Sequence, residues 1–169
     1  MPTVHLICGS TGAGKTTYSL ALADRVGAIR FSIDEWMATL FMADAPPKPD
    51  LAWALERTAR CEAQMWRMAD QLLARGSDVI FDVGLSKREH RERFRARAAE
   101  AGVSTRLHFL DVDRETRRAR VQRRNAEKPA SYSFEVSNAM FDFMETWFER
   151  PSDEELVSAE VIGESAGEQ

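Results

Sequence analysis

Gly9-Ser10-Thr11-Gly12-Ala13-Gly14-Lys15-Thr16 is the stretch whose reading decides the fold. It fits G-x-x-x-x-G-K-[ST], the pattern of a phosphate-binding loop. Val4-His5-Leu6-Ile7-Cys8 before it reads as a buried strand, and Thr17 to Val26 after it carries apolar residues at helical spacing. Strand, loop and helix in that order are the context the pattern requires. The glycines let the backbone curl so that its N–H groups point inward at the positive end of a helix, which makes an anion nest. Gly9, Ser10, Thr11, Gly12, Ala13, Gly14, Lys15, Thr16 and Thr17 are therefore the expected nucleotide-binding residues. Lys15 is expected to reach β- and γ-phosphates, and the Thr16 hydroxyl to ligate Mg²⁺.

Working outward, 169 residues suggest one domain, at most with an inserted lid. A chain of this size buries roughly 70% of its unfolded surface, enough for a substantial core. Net charge is −4, so no global basic field attracts nucleic acid. The charge is unevenly placed. Arg114, Arg117, Arg118, Arg120, Arg123 and Arg124 crowd one segment, and Glu149, Asp153, Glu154, Glu155, Glu160, Glu164 and Glu168 load the end with acid. Cys8 and Cys61 alone make no metal site and read as free thiols, which fits a reducing cytoplasm. The opening strand and loop leave no place for a signal sequence. No apolar run approaches the roughly 18 residues of a membrane span.

Along the chain, strands alternate with helices. Residues 28–33 read as a second strand, ending at Asp34-Glu35, which opens a short helix to Phe41. Pro46, Pro47 and Pro49 stiffen the loop that follows. Leu51 to Arg75 reads as a long helix with Leu55, Met65, Met68, Leu72 and Leu73 as core candidates, stopped by Gly76. Residues 77–82 form a third strand, and Ser86 with Glu89 suggests a capping box on a helix to Ala101. Residues 105–110 form a fourth strand, Arg114 to Arg124 and Phe134 to Phe148 two helices, and Val157 to Ile162 a final edge strand. The alternation predicts an α/β fold with a parallel, doubly wound sheet. The expected domain spans 1–162, with a lid at about 114–133 and a frayed acidic tail at 163–169.

Candidate chemistry falls at strand C-termini, where such sheets bind ligands. Asp34 could accept the proton of an attacking hydroxyl, or serve only as a helix N-cap. Glu35 is its rival. Asp82 closes the apolar strand Val79-Ile80-Phe81 and is expected to organise Mg²⁺ and its waters, or to make an Asx turn into Val83-Gly84. Arg117, Arg120 and Arg124 share one helix face, where their mutual repulsion invites an anion such as ATP phosphates. Arg120 and Arg124 are the members assigned to phosphate, and Arg114 and Arg118 read as solvated. The run from Lys87 to Arg93 reads as a salt-bridged outer face, and His5 and His108 as structural. Trp36 and Phe41, just beyond Asp34, are candidates for the acceptor side.

The ordered set of the phosphate loop, Phe31-Ser32-Ile33-Asp34, Val79-Ile80-Phe81-Asp82 and Arg120 through Arg124-Asn125 resembles a branch of the P-loop kinases, within the AAA-type ATP-binding domains. That branch contains polynucleotide 5′-hydroxyl kinases, chloramphenicol phosphotransferase and the zeta-toxin type of sugar-nucleotide kinase. The resemblance spans about residues 3 to 150. It implies a three-layer P-loop NTPase fold, with a five-stranded parallel sheet in order 2-3-1-4-5 and a helical lid. It also implies Lys15 and Thr16 at ATP·Mg²⁺, Asp34 as base, Asp82 near acceptor or metal, and Arg124 in the lid.

Two positions depart from the polynucleotide kinases. Met37 stands where they carry an arginine three residues after the catalytic aspartate, and Lys128 replaces a second lid arginine. Lysine lacks the bidentate fork. With the acidic net charge, this disfavours a nucleic-acid acceptor and favours a small molecule, accommodated by Trp36, Met37, Phe41 and Met42. The expected activity is transfer of the γ-phosphate of ATP to a hydroxyl, with Lys15, Asp34, Arg120 and Arg124 catalytic. A polynucleotide 5′-hydroxyl kinase, or an ATP-driven regulatory switch without an acceptor, are the alternatives. No N-K-x-D or L-S-G-G motif points to a GTPase or an ABC-type ATPase.

Overall fold

The computed structural model describes residues 1–129 and 135–163. Phe134, the last part of the expected lid and the tail from Glu164 lie outside the described residues. Five strands, β1 (Thr3–Cys8), β2 (Ile29–Ser32), β3 (Val79–Asp82), β4 (Ser104–Leu110) and β5 (Glu160–Ile162), pair in the order β2-β3-β1-β4-β5. Every pairing is parallel, with Val4 beside Val79 and Thr105, and Ser32 beside Asp82. The expected order is thus the observed one. Seven helices complete the described residues: α1 (Lys15–Val26), α2 (Ile33–Leu40), α3 (Leu51–Leu73), α4 (Arg88–Glu100), α5 (Arg114–Glu127), α6 (Asn138–Trp147) and α7 (Asp153–Leu156). Among the described residues, no helix is long and apolar enough to cross a membrane.

Strand alternation sorts β1 into two cores. Val4, Leu6 and Cys8 join Met65, Trp66 and Ala69 of α3 and Phe94 and Ala98 of α4. Ile7 packs instead with Ile80 of β3 and Leu22 of α1. Leu55 and Met68, expected in the core, are exposed, because α3 presents only the stripe of Cys61, Met65, Trp66, Ala69 and Leu73 to the sheet. Both cysteines are free and buried, and burial pushes the Cys8 thiol up to about 11.

Two local expectations are corrected. Helix α4 starts at Arg88 with Lys87 as N-cap and no side-chain cap; the Ser86 hydroxyl donates to the Gly84 carbonyl instead. The run from Lys87 to Arg93 is not wholly an outer face. Arg91 is fully buried and forks onto both carboxylate oxygens of Glu155 in α7, at 2.8 and 3.0 Å. Its remaining N–H groups serve the Leu85 and Glu149 carbonyls. This pair clips the segment after α6 to the loop after β3.

On the α1 side, His5 and His108 meet in the sheet, 2.9 Å apart. The Asp78 carboxylate can only accept, so His5 Nε2–H donates to it at 3.3 Å. His5 Nδ1 then accepts from His108 Nε2–H, and His108 Nδ1 accepts from the Tyr18 hydroxyl at 2.8 Å. Both rings are neutral in this row. Burial lowers both pKa values, His108 to about 4, with the His5 ring, Arg106 and Arg25 opposing its charge and Glu160 favouring it. An unfolded histidine takes its proton near 6.5. The unfolded chain therefore binds more protons between those values, and stability falls as pH drops from 6.5 toward 4. We expect His108 to contribute about 3 kcal/mol of that loss, and His108→Gln to flatten it. Urea unfolding at stepped pH measures this.

Candidate active site

The phosphate loop has the backbone the pattern demands. Gly12 and Gly14 sit at φ +82° and +92°, a left-handed region where a side chain is strained. Gly14 caps α1, whose first turn holds no acid, so the helix end keeps its positive character for an anion. Lys15 Nζ folds back to donate to the Gly9 and Ser10 carbonyls, at 2.8 and 3.2 Å. Thr16 and Thr17 open α1 directly beyond it.

Helix α5 backs onto this loop. A Cβ on Gly12 would lie 2.5 Å from the Arg117 carbonyl oxygen, besides the strain of its φ. Gly12→Ala is therefore expected to abolish measurable nucleotide binding in isothermal titration, because the nest cannot keep its curl without moving α5. Arg117, which shares a face with Arg120 and Arg124, does not reach for phosphate. Its guanidinium forks onto Glu145 of α6, with Nη2 2.8 Å from Oε2, and also donates to the Val112 and Thr11 carbonyls. Glu145 Oε1 in turn accepts from the Ser10 hydroxyl at 2.7 Å. Arg117 lowers the Glu145 pKa, which keeps the carboxylate ionised. Arg114 and Arg118, expected to be solvated, pair with Asp142 of α6 on an exposed face. Asn125 spends its amide on both backbone groups of Val136, at 2.8 and 3.2 Å.

Asp34 lies in the first turn of α2, and is not its cap. Ser32 caps, accepting from the Glu35 N–H at 3.4 Å. That leaves the Asp34 carboxyl without a capping duty. It keeps access to solvent, yet protein crowds it. The crowding raises its pKa above the ordinary carboxylate value; Lys15, Arg124 and Arg30 pull it down and Asp82 pushes it up. Lys15, Arg124, Arg30 and Asp82 thus lie within electrostatic reach of this carboxyl. Arg124 Nε is buried and has no hydrogen-bond partner among the described residues. Arg120 stands closer to the loop, with Nη1 3.5 Å from the Ala13 carbonyl.

Asp82 is buried at the end of β3. Its Oδ2 accepts from Ser19 Oγ at 2.9 Å and from Arg30 Nη2 at 2.8 Å. Glu35 also goes to Arg30, at 2.6 Å, so the rival carboxylate is spent elsewhere. Among the described residues, no group of three or more His, Cys, Asp or Glu side chains could hold a metal ion. Mg²⁺ takes six oxygens and usually keeps several waters. The donors here fit it only in company with phosphate: the Thr16 hydroxyl, phosphate oxygens and water, with Asp82 Oδ1 nearby.

Arg30 and Glu145 escaped the sequence reading. Arg30 had one signal, a charged residue inside the apolar strand Ile29-Arg30-Phe31. Glu145 had none, since its partner Ser10 lies 135 residues away. Trp36 and Phe41 are half-buried and pack against the larger core, so only part of each is left for an acceptor.

A family model described as an AAA domain matches residues 4–151. No curated protein matches the chain in sequence. In fold it is similar to Kti12 of Chaetomium thermophilum in complex with ADP-AlF3, at 16% identity over 98% of this chain and 91% of that one, with a TM-score of 0.72. It is similar to a gluconokinase from Sinorhizobium meliloti 1021, at 17% identity over 96% and 82% of the two chains, with a TM-score of 0.60. It is also similar to the APS kinase of Mycobacterium tuberculosis in complex with AMPPNP and APS, at 17% identity over 90% and 84%, with a TM-score of 0.60. Identities this low speak for the fold alone. The family match, by contrast, runs over most of the sequence, so the chain belongs to the AAA-domain family, with a fold shared with these P-loop structures.

Proposed function

We propose that the protein transfers the γ-phosphate of ATP to a hydroxyl of a small molecule, as a member of the polynucleotide-kinase-like branch. What supports this reading is the Asp34 carboxyl, relieved of capping by Ser32 and within electrostatic reach of Lys15 and Arg124. A carboxylate in that place can take the proton of an attacking hydroxyl.

The triphosphate lies in the 9–16 loop, its charge met by backbone N–H groups and Lys15. Lys15 exchanges the Gly9 and Ser10 carbonyls for phosphate oxygens. Thr16 would hold Mg²⁺, which would supply charge neutralisation to the triphosphate. Asp34 receives the proton of the acceptor hydroxyl as its oxygen attacks in line. Arg124 and Arg120 meet the charge on the moving phosphoryl group, and the orphaned Arg124 Nε finds its acceptor there. Excluding water from this space limits hydrolysis of ATP.

The acceptor is small and partly apolar. Met37 and Lys128 remove two phosphate-binding forks, and Leu40 and Met42 line the exposed side beyond α2. Incubation with γ-labelled ATP and a pool of alcohols, followed by mass analysis, tests the reading. Label is expected in a small product, with ADP release stimulated by that acceptor. Label found only in oligonucleotide 5′-ends would move the protein to the polynucleotide kinases. ATP-dependent partner binding with no phosphorylated product would make it a switch.

A further inference from the structure

Arg30 sits where three elements of the site converge. Its side chain is 7% exposed, and each of its three nitrogens donates to a different element. Nε reaches Ser19 Oγ of α1 at 2.7 Å. Nη1 reaches Glu35 of α2 at 2.6 Å, and Nη2 reaches Asp82 at the end of β3 at 2.8 Å. Ser19 closes the ring, since its hydroxyl lies 2.9 Å from Asp82 Oδ2 and 3.0 Å from the Thr16 carbonyl. A planar guanidinium with fixed N–H directions can hold three partners in one geometry; a lysine cannot.

The three partners stand next to the chemistry. Glu35 follows Asp34. Ser19 lies one turn beyond Lys15 and Thr16. Asp82 is the carboxylate assigned to the metal side. We propose that Arg30 is the positioning residue of this site: its guanidinium ties the helix bearing the proton acceptor to the helix bearing the phosphate lysine, with Asp82 as the strut between them. Asp82 is thereby chiefly a strut. Its Oδ2 is taken twice within the protein, leaving Oδ1 alone for the metal shell. Arg30 spends three of its five N–H donors, one from each nitrogen, on holding the frame. The tie also explains why Glu35 is not the base, though it neighbours Asp34: its carboxylate anchors α2.

The catalytic consequence rests on the phosphotransfer reading; the tie does not. Arg30→Met and Arg30→Lys separate the two. Cutting the tie lets α2 shift relative to the loop, and misplacement of about 1 Å costs about 10²-fold in rate. Arg30→Met is expected to lower kcat by about that factor with Kd for ATP changed less than about threefold. Arg30→Lys, which keeps the charge but not the fork, is expected to fall between Arg30→Met and wild type. Amide hydrogen exchange over residues 33–40 is expected to quicken by about tenfold in both, with β1 and β4 unchanged. If Arg30→Met does not fold, Arg30→Lys decides alone. Wild-type kcat and wild-type exchange in Arg30→Lys would overturn the proposal, as would loss of ATP affinity in step with kcat. If the wild-type protein phosphorylates no alcohol, the kinase reading falls and the exchange data still judge the tie.

Discussion

Replacing Asp34 by asparagine is expected to cut phosphoryl transfer by about 10²- to 10⁴-fold, while ATP binds nearly as before. Asparagine keeps the shape and loses the capacity to take a proton. Nothing that holds the triphosphate is touched, because the nest is backbone from Gly9 to Thr16 and its cation is Lys15. Lys15→Ala is expected to behave differently, losing ATP affinity along with turnover. The pH profile adds a second check. Crowding by protein raises the Asp34 pKa above its ordinary 3.8, with Lys15, Arg124 and Arg30 limiting the rise. The base works deprotonated, so kcat/KM for ATP should fall as pH drops through that raised value, and the acid limb should lie above where a free aspartate puts it. A radiometric assay across pH, with calorimetric ATP titration of the variant, measures both. Turnover near wild type in Asp34→Asn would remove this residue from the mechanism. Glu35→Gln is the control, and its effect should be far smaller, because the Glu35 carboxylate already serves Arg30.

Arg91→Met is expected to destabilise the fold by about 3–5 kcal/mol. Small domains have only about 5–15 kcal/mol in total. The side chain is fully buried, and its loss strands Glu155, the Leu85 carbonyl and the Glu149 carbonyl together. Glu155 keeps one further partner, Arg95 at 2.9 Å, which tempers the loss without replacing the fork. The Arg91 fork holds the Glu155 pKa down to about 2, against an ordinary 4.5. A carboxyl depressed in the folded state contributes stability above its unfolded pKa and loses it as pH falls toward the folded one. The Glu155 contribution therefore fades from 4.5 toward 2, below the window in which His108 acts. Acid unfolding should show two successive slopes, and Arg91→Met should weaken the lower one, to which other paired carboxylates such as Asp111 and Glu145 also contribute. Denaturant midpoints with an unchanged m-value would attribute the shift to stability.

The parallel α/β sheet and the loop were legible because they rest on local signals: a glycine pattern with a strand before and a helix after, and apolar strands alternating with helices; the strand order came from the family resemblance. Asp34 and Asp82 stood out in the sequence as carboxylates at or just beyond strand ends, and the structure puts Asp34 in the first turn of α2 and Asp82 at the end of β3. What stayed hidden was pairing at long range. Arg91 looked like one more charge on a basic helix, and only the placement of α7 gives it Glu155. Arg117, Arg120 and Arg124 share a helix face, yet Arg117 is claimed by Glu145 and two loop carbonyls, and Arg124 keeps an uncommitted nitrogen. Helical spacing sees the face and cannot see which neighbour arrives at each position. His5 and His108 read as separate strand residues, and the β1–β4 register brings them together.

Helix α5 is rooted in the phosphate loop through Gly12 and Arg117, and fastened near its far end by Val121 and by Asn125 on Val136. A lever pinned at its root cannot swing as a whole. Any stroke that brings Arg124 over a substrate has to be taken up beyond Arg117, and the Asn125 clasp has to travel with it. The throw is then short, and most of the travel falls to the last two turns of the helix.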